Sequence, residues 1–400
     1  MKIAWIALIA FSSNVFASTF DPPTPKKGYR WIVNEQYSDE FNGTSLDRSK
    51  WNDTFKGWQG RKPAKFVPET ISVKNGTLQI KNAVLKNPHN GYTIAGGAVQ
   101  SKEETAYFGY YEVNFKASKI NMSTTFWMSN GKQSVDFETK KSNGENCTKD
   151  KYSQELDIVE SIGGTFNRTD KFRKQMNFNT HYRYIDCNGG KEKFYSAGNN
   201  AIEGNGQKSN AKLSSESWED FHTYGAYWKN ANEVSFYADN KFVGDVKVST
   251  EVVEKPFDRA MKINMVTETY NWVKPVPTPE ELNNDAINTS YYNWVRAYKL
   301  IPIDQATRNS YPVAIFKEEA KLTTTPEIIK KKKIKVAYTY KANQDAEILV
   351  TVLNPKKQIV AKGTYKVLAG FGNAEALIKL DHKISKKEQY TYQISLLFPY

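Results

Sequence analysis

The chain has 400 residues, more than one ordinary domain needs, and no sustained 3.6-residue apolar stripe, which excludes a helical bundle. Its +13 net charge is uneven: residues 317–400 hold 16 Lys and Arg against 8 Asp and Glu. Basic residues are not interleaved with aromatics as in a nucleic-acid module, and no apolar run spans a bilayer, so neither nucleic acid nor membrane is an expected partner. Aromatics at 14%, with abundant Thr, Val, Ile and Asn, point to an all-β protein.

The chain opens with Lys2, an apolar run from Ile3 to Phe11, and "VFA" ending at Ala17. This is the pattern of a secretory signal cleaved after Ala17, so residues 1–17 are assigned to export and the mature protein is expected to be secreted. Residues 18–30 form a Pro-rich leader. From Trp31, short alternating strands are punctuated by turn chemistry: a hairpin at Asn75-Gly76, a half-buried strand in "FGYYEVNFKAS", and a second turn at Asp239-Asn240. "TPEELNND" carries a helix N-cap and early acids, and predicts a short helix at 278–285. "YNWVRAYKL" reads as a closing strand. These features predict a large β-sandwich over 31–302, a connector over 303–325 and a small immunoglobulin-like β-sandwich over 326–400. The lysine run 330–333 reads as a solvated charge run, with an anionic polysaccharide partner as the sharper alternative. Export makes Cys147 and Cys187 candidates for one disulfide; two separate thiols are the other reading. Nothing in the sequence demands more than a monomer.

The densest chemistry lies in "ELDIVE", where Glu155, Asp157 and Glu160 alternate with Leu156, Ile158 and Val159. In a strand, Glu155 and Asp157 share a face. Glu160 is five positions from Glu155, an odd offset that turns it away unless a β-bulge near Ile158-Val159 inserts one residue. With the bulge, three acids project from one face, and two of them suffice for a retaining glycosidase's nucleophile and general acid/base. Crowding also drives their pKa values apart. A solvated acidic strand or a calcium site remains open at this level.

"ELDIVE" resembles the E-[IL]-D-x-x-E signature of glycoside hydrolase family 16. "SDEFNGTSLDRSKW", "GWQGRKPAKFVPETISVKNGTLQI", "TTFWMSNG", "FHTYGAYWKNANEVSFYADNKFV" and "TPEELNNDAINTSYYNWVRAYK" are similar to that family's β-agarase and porphyranase branch, in its order. The resemblance spans roughly Trp31 to Leu300. It implies a jelly roll with a polysaccharide cleft, Glu155 as nucleophile, Glu160 as acid/base, and Asp157 hydrogen-bonded to Glu155. The expected activity is a secreted endo-acting β-agarase cutting internal β-1,4-galactosidic bonds of agarose, an algal galactan. The alternatives are hydrolysis of a sulfated galactan (porphyran or a carrageenan type), a laminarinase, or a non-catalytic carbohydrate-binding protein.

The resemblance further implies sugar-binding roles for Trp58, Trp127, His181, Glu268 and Trp272. Arg183 follows His181 on the same face, and Arg61 belongs to the Trp58 loop; both are candidates for a hydroxyl or sulfate. No cofactor is required. Relatives hold a structural calcium through an acid on the last strand, where this chain has Asn293, so calcium is left as an option without named ligands.

Overall fold

The computed structural model describes residues 29–135, 150–165, 170–186, 191–203, 206–302 and 319–397, together with Pro22, Pro23 and Pro25; gaps fall at 330–331, 343–345, 369, 381–383 and 385–387. The signal segment with its cleavage point at Ala17, and the Cys147–Cys187 disulfide, lie outside the described residues. The first strand, Tyr29–Val33, takes the last two residues assigned to the leader.

Residues Trp31–Ile301 form one unit built from two large sheets, a jelly-roll sandwich. One sheet runs through the strands Lys193–Gly198, Asn179–Ile185, Asp150–Ile162, Ser123–Ser129, Lys262–Thr267, Tyr92–Ser101 and Trp51–Asn52, in that spatial order. The other centres on His222–Asn230, Gly109–Lys116 and Thr289–Pro302. The alternation in "GYYEVNFK" explains the packing: Tyr111, Val113 and Phe115 enter the core, and Tyr110, Glu112 and Asn114 take the other face. They meet Phe126, Met128, Leu156, Ile263 and Met265 of the opposite sheet. Burying each such side chain is worth roughly 1.5–3 kcal/mol. A hydrogen bond joins the layers as well, from the Tyr292 hydroxyl to the Thr125 carbonyl at 3.0 Å.

Local chemistry sets the ends of these strands. Asn75 (φ 55°) and Gly76 (φ 72°) close the Ile71–Lys74/Thr77–Lys81 hairpin, and Asp239 (φ 46°) and Asn240 (φ 63°) close a second. Both are positive-φ pairs whose twist matches that of paired strands. The helix Pro279–Leu282 starts with a full capping box between Thr278 and Glu281. After the acid-bearing strand the chain passes so close to Ser118 that a Cβ on Gly163 would lie 2.1 Å from its carbonyl oxygen.

The C-terminal β unit has a sheet of the strands Glu319–Leu322, Glu327–Ile329, Lys333–Ala342 and Gly370–Lys379, and a three-stranded sheet of Ala346–Leu353, Ile359–Val367 and Thr391–Leu397. Ile334, Val336, Ile348, Val350, Val352 and Ile378 fill its core. The connector expected over 303–325 is therefore too long: Glu319–Leu322 pairs with Lys333–Ala342, and Ala320 and Leu322 pack on the small core. An edge strand with two apolar residues in four falls below what alternation alone reveals.

Candidate active site

The strand Asp150–Ile162 carries all three acids. Against Ser123–Ser129, Glu155 stands opposite Ser129 and Asp157 opposite Trp127. The register then slips, so that Val159 faces Phe126 and Glu160 faces Thr125. Ile158 is the inserted residue, and Leu156, Ile158 and Val159 are all fully buried in the core. The bulge brings Glu160 onto the face of Glu155 and Asp157.

On the other side, Glu155 stands opposite His181 and Ser153 opposite Arg183. Each of these side chains reaches diagonally to the acid two residues further along. His181 Nε2 lies 2.9 Å from Asp157 Oδ2, and Arg183 Nη1 donates to Glu155 Oε2 at 3.1 Å. The bond expected between Asp157 and Glu155 goes to His181 instead. Phe194 stacks on His181 (centroids 4.8 Å apart) and lies beneath the Arg183 guanidinium at 5.1 Å.

Glu160 has a different set of neighbours. The Tyr270 hydroxyl donates to its Oε1 at 2.7 Å. Trp272, 47% exposed, stacks on Tyr270 with centroids 5.2 Å apart. The Arg61 guanidinium lies 4.9 Å over the Tyr270 ring, and its Nε is 3.6 Å from Glu268 Oε2. Thr269 Oγ1 donates to the Arg61 carbonyl at 2.7 Å, so the 268–272 segment fixes the loop that bears Trp58 and Arg61. On the adjoining strand Trp127 stacks against Phe55 (5.5 Å, 17° between planes) and meets Trp58 edge-on at 6.3 Å. Asn264, opposite Trp127, accepts from Gln100 Nε2 at 2.9 Å and donates to Ser129 Oγ at 3.2 Å.

Burial sets the electrostatics. Asp157 is pushed up to about 6 by desolvation and by the Glu155 charge, with His181 opposing. Glu160 is pushed up to about 7 by burial and by Asp157, against the Tyr270 bond. Glu268 rises to about 8, again through burial, with Arg61 pulling it back. His181 loses proton affinity to desolvation, but the Asp157 bond and the surrounding acids overrule this and its net shift is upward. Glu160 is thus poised to exchange a proton near neutrality, the property a general acid/base requires.

The ten predicted side chains fall into three contact groups: Glu155 and Asp157 with Arg183 and His181, which share Phe194; Glu160, Trp272 and Arg61 around Tyr270, with Glu268 beside Arg61; and Trp58 with Trp127, whose backbone stands opposite Asp157. The sequence reading passed over Tyr270, Phe194, Phe55 and Asn264. Tyr270 had a signal, since Glu268, Tyr270 and Trp272 alternate at period 2; Phe55 opens the Trp58 loop block "FKGWQGR" without a rule that marks it, and Phe194 lies in a stretch with no motif. Glu155, Asp157 and His181 offer ligand atoms within 4.8 Å of one another, but the His181 Nε2 is already engaged by Asp157. Asn293, raised in connection with calcium, donates to Asn114 at 3.1 Å. Among the described residues no group of three acidic or histidine ligands surrounds it.

A family model described as β-porphyranase A–D, GH16 domain, matches residues 31–300, and a porphyranase-associated domain matches residues 321–398. β-Porphyranase B of Phocaeicola plebeius is 44% identical over 299 residues, 71% of this chain and 89% of that protein. β-Porphyranase D of Zobellia galactanivorans is 34% identical over 419 residues, 98% of this chain and 93% of its own. The crystal structure of a β-porphyranase from the human gut bacterium Bacteroides plebeius matches with a TM-score of 0.63 and 42% identity, covering 70% of this chain and 96% of that one. The agarose expectation is thereby corrected: β-agarase AgaB34 of Agarivorans albus is only 24% identical. The motifs quoted from the sequence resemble a branch that includes both enzyme types, so they could not separate them. The chain belongs to the β-porphyranase A–D family of glycoside hydrolase family 16.

Proposed function

We propose that this protein is a secreted, endo-acting, retaining β-porphyranase that hydrolyses internal β-1,4-galactosidic bonds of the sulfated galactan porphyran. The bulged strand carries this reading: it aims Glu155, Asp157 and Glu160 from one face. Glu155, fixed by Arg183, attacks the anomeric carbon while Glu160 protonates the departing glycosidic oxygen. A covalent glycosyl-enzyme forms; Glu160, now a carboxylate, takes a proton from water, which attacks the same carbon and releases the sugar with retained configuration. Asp157, bonded to His181, modulates the charge between the two glutamates. Trp58, Trp127 and Trp272 offer apolar faces to galactose rings. Arg61 and Arg183 are the cations beside the acids, and charge-assisted hydrogen bonds to sulfate are the chemistry that separates porphyran from agarose.

Reducing-end release from porphyran, agarose, κ-carrageenan and laminarin, with Glu155→Gln as blank, tests the reading. Activity on porphyran that vanishes in the variant is the expected result. Equal rates on agarose and porphyran would remove sulfate recognition from it, and activity in the blank would remove Glu155.

A further inference from the structure

Tyr270 is neither an acid nor an exposed sugar platform, being only 6% exposed. Its ring is held on several sides: Arg61 lies over it, Trp272 stacks on it, and Ile162, Phe172 and Val273 pack around it in a small apolar cluster. A ring confined in this way has little rotational freedom, so its hydroxyl points in one direction. That direction is Glu160 Oε1, at 2.7 Å. Burial and the neighbouring acids raise the Tyr270 pKa well above its ordinary value, so the hydroxyl keeps its proton and remains a donor throughout.

A carboxyl group serving as general acid has two inequivalent tasks for its oxygens. One must carry the labile proton toward the leaving oxygen, while the other is best held by a donor that cannot compete for the substrate. A permanently protonated phenol on Oε1 does both, because a proton on Oε1 would oppose the Tyr270 O–H. We propose that Tyr270 is the positioning residue of the general acid/base, its hydroxyl holding Oε1 so that the transferable proton resides on Oε2. The bond persists through the cycle: Tyr270 donates to the carbonyl oxygen of protonated Glu160 and, after proton transfer, to the carboxylate. No atom of Tyr270 is exchanged with substrate. Arg61 and Trp272 act on the proton donor through this ring, so the sugar-binding loop and the proton donor are mechanically joined.

The inference rests on Glu160 being the acid/base, and the test separates the two. Tyr270→Phe keeps the ring and its stack but removes the hydroxyl. The expected result on porphyran is a fall in kcat of roughly ten-fold with KM within about two-fold, since one hydrogen bond to a charged group is lost. The alkaline limb of the kcat/KM profile should also move to higher pH by about one unit, because the lost bond favoured ionised Glu160. A fall in rate uniform across pH, or kcat and limb both unchanged, would overturn the positioning role. Glu160→Gln is measured alongside: wild-type rates in that variant would remove the acid/base reading itself, whatever Tyr270→Phe does.

Discussion

His181 and Asp157 share a single short contact, Nε2 to Oδ2 at 2.9 Å, and the other ring nitrogen of His181 is buried without a hydrogen-bond partner among the described residues. The imidazole is therefore oriented by one carboxylate and by the Phe194 ring. Asp157 favours the imidazolium, so Asp157→Asn should lower the His181 pKa. Four histidines make its ring signals assignable by NMR. The titration should move to lower pH and kcat/KM fall by about a hundred-fold, as for loss of a buried charged partner. An unchanged His181 titration would show that Asp157 does not control it.

Glu160 sits near pH 7 through burial and the Asp157 charge. As the proposed general acid it must be protonated in the free enzyme, so kcat/KM should decline above about pH 7, approaching ten-fold per pH unit. Asp157→Asn removes the second of those causes and should move that limb to lower pH. A limb that stays in place would mean that the Asp157 charge does not set the proton affinity.

Much of this site was readable because its residues obey a local rule. The five-residue offset from Glu155 to Glu160 demands a bulge, and Ile158 supplies it. Asn75-Gly76 and Asp239-Asn240 are turn pairs whose chemistry is self-contained. What stayed hidden depends on which strands become neighbours. Phe194 matters because its strand pairs with the one carrying His181, and Phe55 because its loop folds over Trp127. The edge strand Glu319–Leu322 acquires its identity only from its partner. Sulfated and neutral galactans were not separable either, since an Arg beside an acid, as Arg61 and Arg183 are, suits a hydroxyl as well as a sulfate.

Phe55 is a testable example of such hidden support. It stacks on Trp127 at 17° between planes and meets Trp58 edge-on at 5.2 Å, holding both rings without touching the acids. Phe55→Ala should raise KM for porphyran several-fold through loosened platforms, each aromatic contact being worth about 0.5–1.5 kcal/mol, and leave kcat nearly unchanged. A loss confined to kcat would place its effect on the chemical step instead.

Glu268 tests the cost of crowding acids. Its side chain is 7% exposed, with Arg61 at 3.6 Å, and burial lifts its pKa to about 8 in the fold against about 4.3 in the unfolded chain. Between those values the folded protein binds more protons than the unfolded chain, so stability falls as pH rises from about 4 to about 8 and then levels off. Glu268→Gln does not titrate and escapes that loss. The variant should match the parent near pH 4 and exceed its unfolding free energy by a few kcal/mol near pH 9, on the order expected for a shift of this size. Denaturant unfolding of both proteins at the two pH values reads it directly. A gap equal at both pH values would assign the gain to packing, and a more stable parent at pH 9 would mean that Arg61 more than compensates the buried charge.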